Sequence, residues 1–283
     1  MKLKSILLGS FKLDGGAMFG VVPKKIWSKL LPSDDQNLCT WALRCLYIEY
    51  EGKKMLIDMG MGNKQDPKFF SYYQPRGKSS VHEVLLDEKI DPLAITDVIL
   101  THLHFDHVGG AVYYDEAKNP MLSLPNATYW VNASQWQNAI SPNQREKASF
   151  LVENIVPLQP FIKFVQAHKS PFNQIDLIKV DGHTEGMILP LIHVNKNKKL
   201  LYCADLFPSA HHIPLPYIMA YDMQPLITLR EKEVMLKMAV KQDIALFFEH
   251  DIQHEVGIIH SPKEGKYELK ESPSLEEWLL RTP

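Results

Sequence analysis

The chain has 283 residues, of which 45% are hydrophobic and 23% are charged, and its formal net charge is -2 at pH 7. This composition is typical of a globular protein with enough apolar residues for a sizeable core. Since 31 basic residues are balanced by 33 acidic ones, no overall positive field favours binding to nucleic acid or to an anionic membrane surface. We therefore expect neither partner.

The cysteines and the N-terminal residues bear on where the protein works. Cys39, Cys45 and Cys203 lie in or beside apolar stretches, and three cysteines cannot all pair within one chain, so we expect reduced core residues. The apolar run in residues 1–10 is shorter than a secretory signal requires. No apolar stretch reaches the ~20 residues that span a bilayer. A cytoplasmic location is the resulting expectation.

The first predicted elements are a hairpin and a helix that leads into a buried strand. The hairpin pairs residues 43–50 with residues 54–58 across a Glu51-Gly52 turn. Apolar residues at near-helical spacing predict a helix over 79–90, and the apolar, β-branched segment 95–101 predicts a buried strand.

Further strands and helices alternate in the rest of the chain. The patterns predict strands at 128–131, 199–204 and 244–248 and helices at 133–139 and 229–242. No composition break or repeat divides the sequence, so we predict a single α/β domain of residues 1–283. The segment 138–171 has four prolines with aromatic residues between them and no clear periodicity, which predicts an inserted loop or lid.

A dense group of candidate metal ligands follows the strand predicted at 95–101. Residues 102–110 read His-Leu-His-Phe-Asp-His-Val-Gly-Gly, with three imidazoles and a carboxylate among the first six residues. These groups suit borderline cations such as zinc. Loops at the carboxyl ends of strands are also where α/β proteins commonly place their sites. The motif therefore favours a metal-dependent hydrolase.

Three residues further along the chain are candidates for the same site. His183 follows Gly182 in a predicted tight turn, Asp205 follows a predicted buried strand, and His250 lies in the sequence Phe-Phe-Glu-His-Asp at 247–251. None of the candidate ligands is a cysteine, which argues against a closed structural zinc site. An open coordination position holds water, so this ligand set favours catalysis.

The combined set resembles the ligand pattern of the metallo-β-lactamase superfamily over about residues 43–251. The motif at 102–110, the sequence Leu-Ile-Asp-Met-Gly at 56–60, the ending at 247–251 and the glycine-rich segment 14–20 are most similar to the N-acyl-homoserine lactonases that quench quorum sensing and to the related methyl parathion hydrolases. The commonest dizinc β-lactamases carry cysteine at the position of Asp205, so that activity is disfavoured. The resemblance implies an αβ/βα four-layer sandwich, with two mixed sheets packed face to face and helices outside.

The resemblance also implies a ligand set and a reaction. One cation is expected at His102, His104 and His183 and a second at Asp106, His107 and His250, with Asp205 bridging them. The expected cofactors are two Zn²⁺ per chain, with Mn, Fe or Co as alternatives. A metal-bridging hydroxide would open an ester or lactone, with N-acyl-homoserine lactone as the best single substrate, and Asp106 and Asp205 would be the catalytic residues.

Several residues are candidates for contact with a small-molecule substrate. Met18 and Phe19 are expected to form an apolar wall. The lactonases carry a tyrosine shortly after the bridging aspartate, whereas residues 205–212 here read Asp-Leu-Phe-Pro-Ser-Ala-His-His. His211 or His212 could replace that group, as could Tyr217 or Tyr221. Asp58, at a strand end, is expected to hold a ligating histidine.

Other functions stay open at this point. A phosphotriesterase-like organophosphate hydrolase would use the same nucleophile, and a mononuclear iron dioxygenase of the persulfide type would not use Asp106 as a ligand. A thioesterase of the glyoxalase II type is disfavoured because no basic C-terminal cluster is evident, and a non-catalytic metal-binding module is disfavoured by seven intact ligands. Apolar and aromatic residues in loops 14–22, 138–171 and 206–222 leave room for a homodimer.

Overall fold

Two six-stranded sheets dominate the computed structural model, which describes residues 1–78, 80–166 and 169–281. In spatial order, the first sheet contains β1 (Lys2–Asp14), β2 (Leu38–Tyr50), β3 (Lys53–Ile57), β4 (Asp97–Ile99), β7 (Thr128–Asn132) and β8 (Ile162–Val165). The second contains β14 (Lys266–Glu271), β13 (Val256–Lys263), β12 (Ile244–Phe247), β11 (Lys199–Tyr202), β10 (Met187–His193) and β9 (Ile175–Val180). A small hairpin pairs β5 (Val112–Tyr114) with β6 (Pro120–Leu122).

The helices begin at recognisable capping residues. Asp66, Ser80 and Asn132 each accept a backbone N–H of the helix that follows, and Pro225 begins the longest helix. The helices are α1 (Gly15–Phe19), α2 (Lys24–Trp27), α3 (Pro67–Tyr73), α4 (Val81–Asp87), α5 (Phe105–Val108), α6 (Ala133–Ile140), α7 (Val152–Ile155), α8 (Pro225–Gln242) and α9 (Leu275–Leu280). In the described ranges, none of them combines the length and apolarity that crossing a membrane requires.

The core is divided into two layers by the first sheet. Along β2, Leu46 and Ile48 belong to the core between the two sheets, whereas Cys45 and Tyr47 belong to the core on the other face, as the two-residue period of a strand dictates. Helices α4 and α6 cover that outer face, and α8 covers the second sheet through Leu236 and its neighbours. The predicted four-layer arrangement of two mixed sheets with helices outside is confirmed.

Most predicted elements are present, with shifted ends. The hairpin is β2 and β3, and the strand predicted at 95–101 is β4, shortened because Pro92–Ala94 forms a 3₁₀ turn and residues 100–104 lead into the site. Strand β1 was not predicted, although its residues pair with β2 along almost its whole length. The three cysteines are free and buried, as expected.

Parallel pairing brings the functional loops to one edge. Strands β3, β4, β7 and β8 run parallel to one another in the first sheet, and β11 and β12 run parallel in the second. The loops after β4, β11 and β12 therefore leave the sandwich at neighbouring strand ends, which is where α/β proteins place ligands.

The segment 138–171, predicted as an inserted loop or lid, contains regular structure. It includes the end of α6, all of α7, a 3₁₀ stretch at Val156–Phe161, and β8, which pairs with β7. Residues 167 and 168 of the segment lie outside the described residues. Motion of this segment as a lid stays a prediction.

Candidate metal centre

All seven candidate ligands meet at the edge formed by these loops. Ligand atoms of His102, His104, His183 and Asp205 lie within 4.8 Å of one another, and those of Asp106, His107 and His250 form a second such group. All seven residues are buried. A cluster of nitrogen and oxygen donors of this density is the ligand set that zinc and similar cations prefer.

Tight backbone packing places the ligands. His102 and His104 lie on the loop after β4, and α5 begins immediately afterwards, so Asp106 and His107 project from its single turn. Gly109 is required there because a Cβ atom would lie 2.0 Å from the carbonyl oxygen of Met61. Asp205 lies in a 3₁₀ turn directly after β11, where Ala204 adopts a φ of 42°.

Ring nitrogens face one another within the cluster. His104 Nδ1 lies 3.2 Å from His183 Nε2, and His107 Nε2 lies 3.1 Å from His250 Nε2. His183 Nε2 also lies 3.1 Å from Asp205 Oδ2, and His250 Nε2 lies 3.2 Å from Asp205 Oδ1. Asp205 thus stands between the two groups of histidines with one oxygen turned to each, as a bridging carboxylate would.

A further observation tests whether cations fit this cluster. Among the described residues, the buried atoms His102 Nε2 and Asp205 Oδ1 have no hydrogen-bond partner. Leaving such polar atoms unpaired in a core is costly. Two cations, one beside the His102 group and one beside the His107 group, would satisfy both atoms and the facing nitrogens, so the donor set fits a dinuclear centre.

In the first group, the other nitrogen of each ring is held by an oxygen. His102 Nδ1 lies 3.1 Å from Thr101 Oγ1, His104 Nε2 lies 3.0 Å from Glu146 Oε1, and His183 Nδ1 lies 2.8 Å from Asp222 Oδ1. Such contacts fix the tautomer and orientation of a ligating imidazole. The atoms left to face the cluster are therefore His102 Nε2, His104 Nδ1 and His183 Nε2.

The second group is held by residues at strand ends. His107 Nδ1 lies 3.2 Å from Asp58 Oδ2 and 3.1 Å from Glu249 Oε2, while His250 Nδ1 lies 2.8 Å from the carbonyl oxygen of Ala42. Asp58 also accepts the backbone N–H of Thr101 and the hydroxyl of that residue. Asp58 thus contacts a candidate ligating histidine, as expected; metal binding by His107 stays a prediction.

The carboxylates give the metal-free cluster a strong affinity for protons. Burial lowers the pKa of His183 and His250, but Asp205 outweighs it, so the pKa of His183 rises to about 10 and that of His250 to about 9. Burial would raise the pKa of Asp205, yet the surrounding histidines hold it well below its ordinary value. A cation entering the cluster therefore replaces protons.

A cavity of about 270 Å³ opens onto the cluster. Its lining is largely apolar or aromatic apart from the ligands, although Arg145 and Glu146 also line it. The apolar and aromatic lining includes Leu13, Met18, Tyr73, Phe105, Met219 and Tyr221. Such a mixture of an apolar wall and a few polar groups is typical of a small-molecule site.

Only some of the residues predicted to contact the substrate line the cavity. Met18 and Tyr221 line the cavity, but Phe19, His212 and Tyr217 are not among its lining residues. The ring of His212 stacks on Phe19, and its nitrogens contact Ser209 Oγ and the carbonyl oxygen of Met18. His212 is therefore buried behind the cavity wall and holds the backbone of Met18, and it does not line the cavity as a polar group.

Known proteins match this chain in sequence and in fold. The family model described as the Metallo-beta-lactamase superfamily matches residues 44–129, which include the motif at 102–110. A structure described as a "probable metal-dependent hydrolase" from Staphylococcus aureus is 28% identical, with a TM-score of 0.85, and the alignment covers 96% of this chain and 98% of that one. The chain therefore has the metallo-β-lactamase fold.

Two further relatives of the chain are lactonases. An N-acyl homoserine lactonase from Bacillus cereus is 23% identical over 242 residues, covering 81% of this chain and 88% of the relative. The dizinc quorum-quenching lactonase AidC, solved with its product, is 22% identical with a TM-score of 0.76, covering 96% of this chain and 95% of that one. The chain is a metal-dependent hydrolase of this fold.

Sequence reasoning missed the residues that hold the rings of this hydrolase. Glu146, Asp222 and Glu249 each contact a candidate ligand, yet none was predicted. Only Glu249 had a local signal, since it directly precedes His250 in a motif already singled out.

Proposed function

We propose that this protein is a dinuclear zinc hydrolase that opens the ring of N-acyl-homoserine lactones. The observation that carries the proposal is the seven-residue donor cluster at the base of an apolar-walled cavity. The similarity to two lactonases supports the choice of substrate. Other ester or lactone substrates use the same chemistry.

The candidate ligands fall into two groups, one for each cation. We assign one cation to His102, His104 and His183 and the other to Asp106, His107 and His250, with Asp205 shared. When bound, two divalent cations supply an acidified water as nucleophile and positive charge for the developing oxyanion.

Residues that line the cavity transfer the proton and bind the substrate. Asp106 lines the cavity, with Oδ2 3.7 Å from His250 Nε2, so its carboxylate can take up a proton and deliver it to the leaving alkoxide. Met18, Phe105 and Met219 present apolar surface on which an acyl chain can pack, which excludes water from the reacting bond.

Elemental analysis joined to a substrate screen tests the proposal. We expect two zinc ions per chain and acid release from N-acyl-homoserine lactones, measured with a pH indicator, exceeding that from thioesters and phosphotriesters. One iron per chain with oxygen consumption would contradict it in favour of a dioxygenase. Preference for phosphotriesters would keep the metal centre but overturn the lactone.

A matched pair of histidine variants separates the centre from the rest of the chain. We expect His104→Ala to lose bound metal and to reduce turnover by at least about 100-fold. His260→Ala, at a half-buried position on β13 away from the cluster, is the control and should retain both properties. Full activity in a folded, metal-free sample would refute the assignment.

A further inference from the structure

A second cleft, separate from the metal cavity, also borders α3. It encloses about 620 Å³, within the range of small-molecule sites. Its floor is formed by buried apolar side chains of the first sheet and of the loop after β3, including Leu8, Leu43, Met59 and Met61. Phe70 of α3 forms one wall. None of the seven candidate metal ligands lines this cleft.

The backbone at residues 76 and 77 forms another side of the cleft. Arg76 pairs antiparallel with Ser10 of β1, the edge strand of the first sheet, through two backbone hydrogen bonds of 2.7 and 2.8 Å. This pairing requires glycine at position 9, because a Cβ atom there would lie 2.3 Å from the carbonyl oxygen of Arg76. Gly77 follows with a φ of 104°, a conformation that L side chains rarely adopt. The cleft is therefore walled by fixed backbone and not by mobile side chains alone.

The charged residues that line the cleft are both basic. Arg76 and Lys78 line it, and none of its described lining residues is acidic. Lys78 pairs with Asp87 on α4. The guanidinium of Arg76 is exposed and has no hydrogen-bond or ion-pair partner among the described residues. An unpaired guanidinium above an apolar floor complements a ligand with an apolar chain and a single carboxylate.

We propose that this cleft binds a long-chain carboxylate, with the chain on the methionine floor and the carboxylate on Arg76. Free fatty acids and N-acyl amino acids share this chemistry. The proposal goes beyond the lactonase reaction, because no candidate ligand and no atom of the metal cavity takes part.

The cleft is also connected to the metal centre. Tyr73 and Phe69 of α3 contact Phe105, with ring centroids 4.7 and 5.3 Å apart, and Tyr73 lines the metal cavity. The backbone N–H of Met59 donates to the carbonyl oxygen of His107 over 2.7 Å. A molecule in the cleft therefore touches two elements that border the metal centre.

Calorimetric titration of the zinc-loaded protein tests the proposal, with dodecanoate and N-dodecanoylglycine as probes. We expect both to bind, with the tighter of the two identifying the source class, and affinity should increase with chain length by up to about fourfold per methylene. Dodecyltrimethylammonium should bind at least about tenfold more weakly, because Arg76 repels it. Equal binding of the cationic probe would overturn the proposal.

Variants locate the binding. Arg76→Gln should weaken dodecanoate binding about tenfold, and the control Arg230→Gln, exposed on α8, should not. Ser71→Trp, which fills the cleft from an exposed position on α3, should abolish binding, whereas Tyr72→Trp on the same helix should not.

Two results would overturn the assignment. Binding that survives Arg76→Gln and Ser71→Trp but is lost in His104→Ala would place the carboxylate in the metal cavity. A wild-type protein that sediments as a dimer and binds neither carboxylate would show that a second copy covers the cleft. Neither result would affect the proposed lactonase activity, which the substrate screen tests separately.

Discussion

The two groups of candidate ligands differ in what holds their histidines. In the first group, His104 and His183 are held by Glu146 and Asp222, which lie on segments between elements. In the second group, His107 and His250 are held by Asp58, Glu249 and the backbone of Ala42, which lie in or directly after strands. One half of the centre thus depends on connecting segments and the other on the sandwich itself.

This difference predicts separate behaviour of the two halves. Residues at strand ends are fixed by the core, so the second half should keep its geometry whenever the protein is folded. The first half also requires the segment around Glu146 and the loop that carries Asp222 to be in place. Sequence variation or motion in those segments should therefore change one cation site before the other.

Neutralising one supporting carboxylate in each half is expected to have the largest effect. Glu146→Gln and Glu249→Gln should each weaken binding of one zinc ion by about 10–100-fold, because the ring it contacts loses a charged partner. Competition with a chelator, read out as zinc per chain, measures the change. Glu116→Gln, on an exposed turn, is the control.

The metal-stripped forms of these variants should differ in stability. Burial raises the pKa of Glu249 to about 8, so its charged form destabilises the folded state as pH rises from about 4.5 to 8. His104 and other partners lower the pKa of Glu146 to about 2 despite its burial, so its charge stabilises the fold. At pH 8, Glu249→Gln should raise the melting temperature and Glu146→Gln should lower it. Equal shifts would contradict the distinction.

A buried lysine anchors the loop that forms part of the wall of the metal cavity. Lys232 on α8 donates to the carbonyl oxygens of Pro214, Leu215 and Tyr217, and this loop continues into Met219 and Tyr221 of the cavity. Burial lowers the pKa of Lys232 to about 7. Its amine gives three buried carbonyl groups the hydrogen bonds that water would otherwise supply.

Lys232→Met should cost about 2 kcal/mol of stability and raise KM severalfold with a smaller change in kcat. The loop would lose its anchor, whereas the candidate metal ligands are not contacted. Lys241→Met, at the exposed end of the same helix, is the control. Loss of zinc in Lys232→Met would show that the loop supports the centre and not only the wall.

The sequence allowed prediction of the parts that depend on local pattern. Residues 102–107 are close in space because they are close in the chain, and the segment before them is rich in apolar and β-branched residues. The ends of elements were less predictable: α8 starts at Pro225, four residues before the predicted start, because proline at the first position of a helix lacks only an N–H that would be unpaired there anyway.

Long-range contacts account for what was missed. Glu146 reaches His104 from 42 residues away, and no local pattern distinguishes it from the exposed glutamates of the chain. Strand β1 escaped prediction because its pairing with β2 depends on residues that lie 24 to 47 positions further along the chain. Such contacts are specified by the packed sandwich and not by neighbouring residues.

The stability of the metal-stripped protein should also depend on pH. The pKa values of His183 and His250 rise from 6.5 to about 10 and about 9 in the folded state. Groups whose folded pKa is raised stabilise the protein fully below their unfolded pKa, and that stability is lost as pH rises through the folded pKa. The melting temperature of stripped protein should therefore fall by several degrees between about pH 6.5 and 10.

Zinc should remove most of this dependence, because bound imidazoles are neutral in the folded state and no longer take up protons. Thermal unfolding of the stripped and zinc-loaded forms, followed in parallel from pH 6.5 to 10, measures the difference. His260→Ala should retain the slope of the stripped protein, since His260 lies outside the cluster. A stripped protein whose stability rises over this interval would mean that the pKa values of His183 and His250 are not raised in the folded state, and that Asp205 does not hold the two halves together before metal binds.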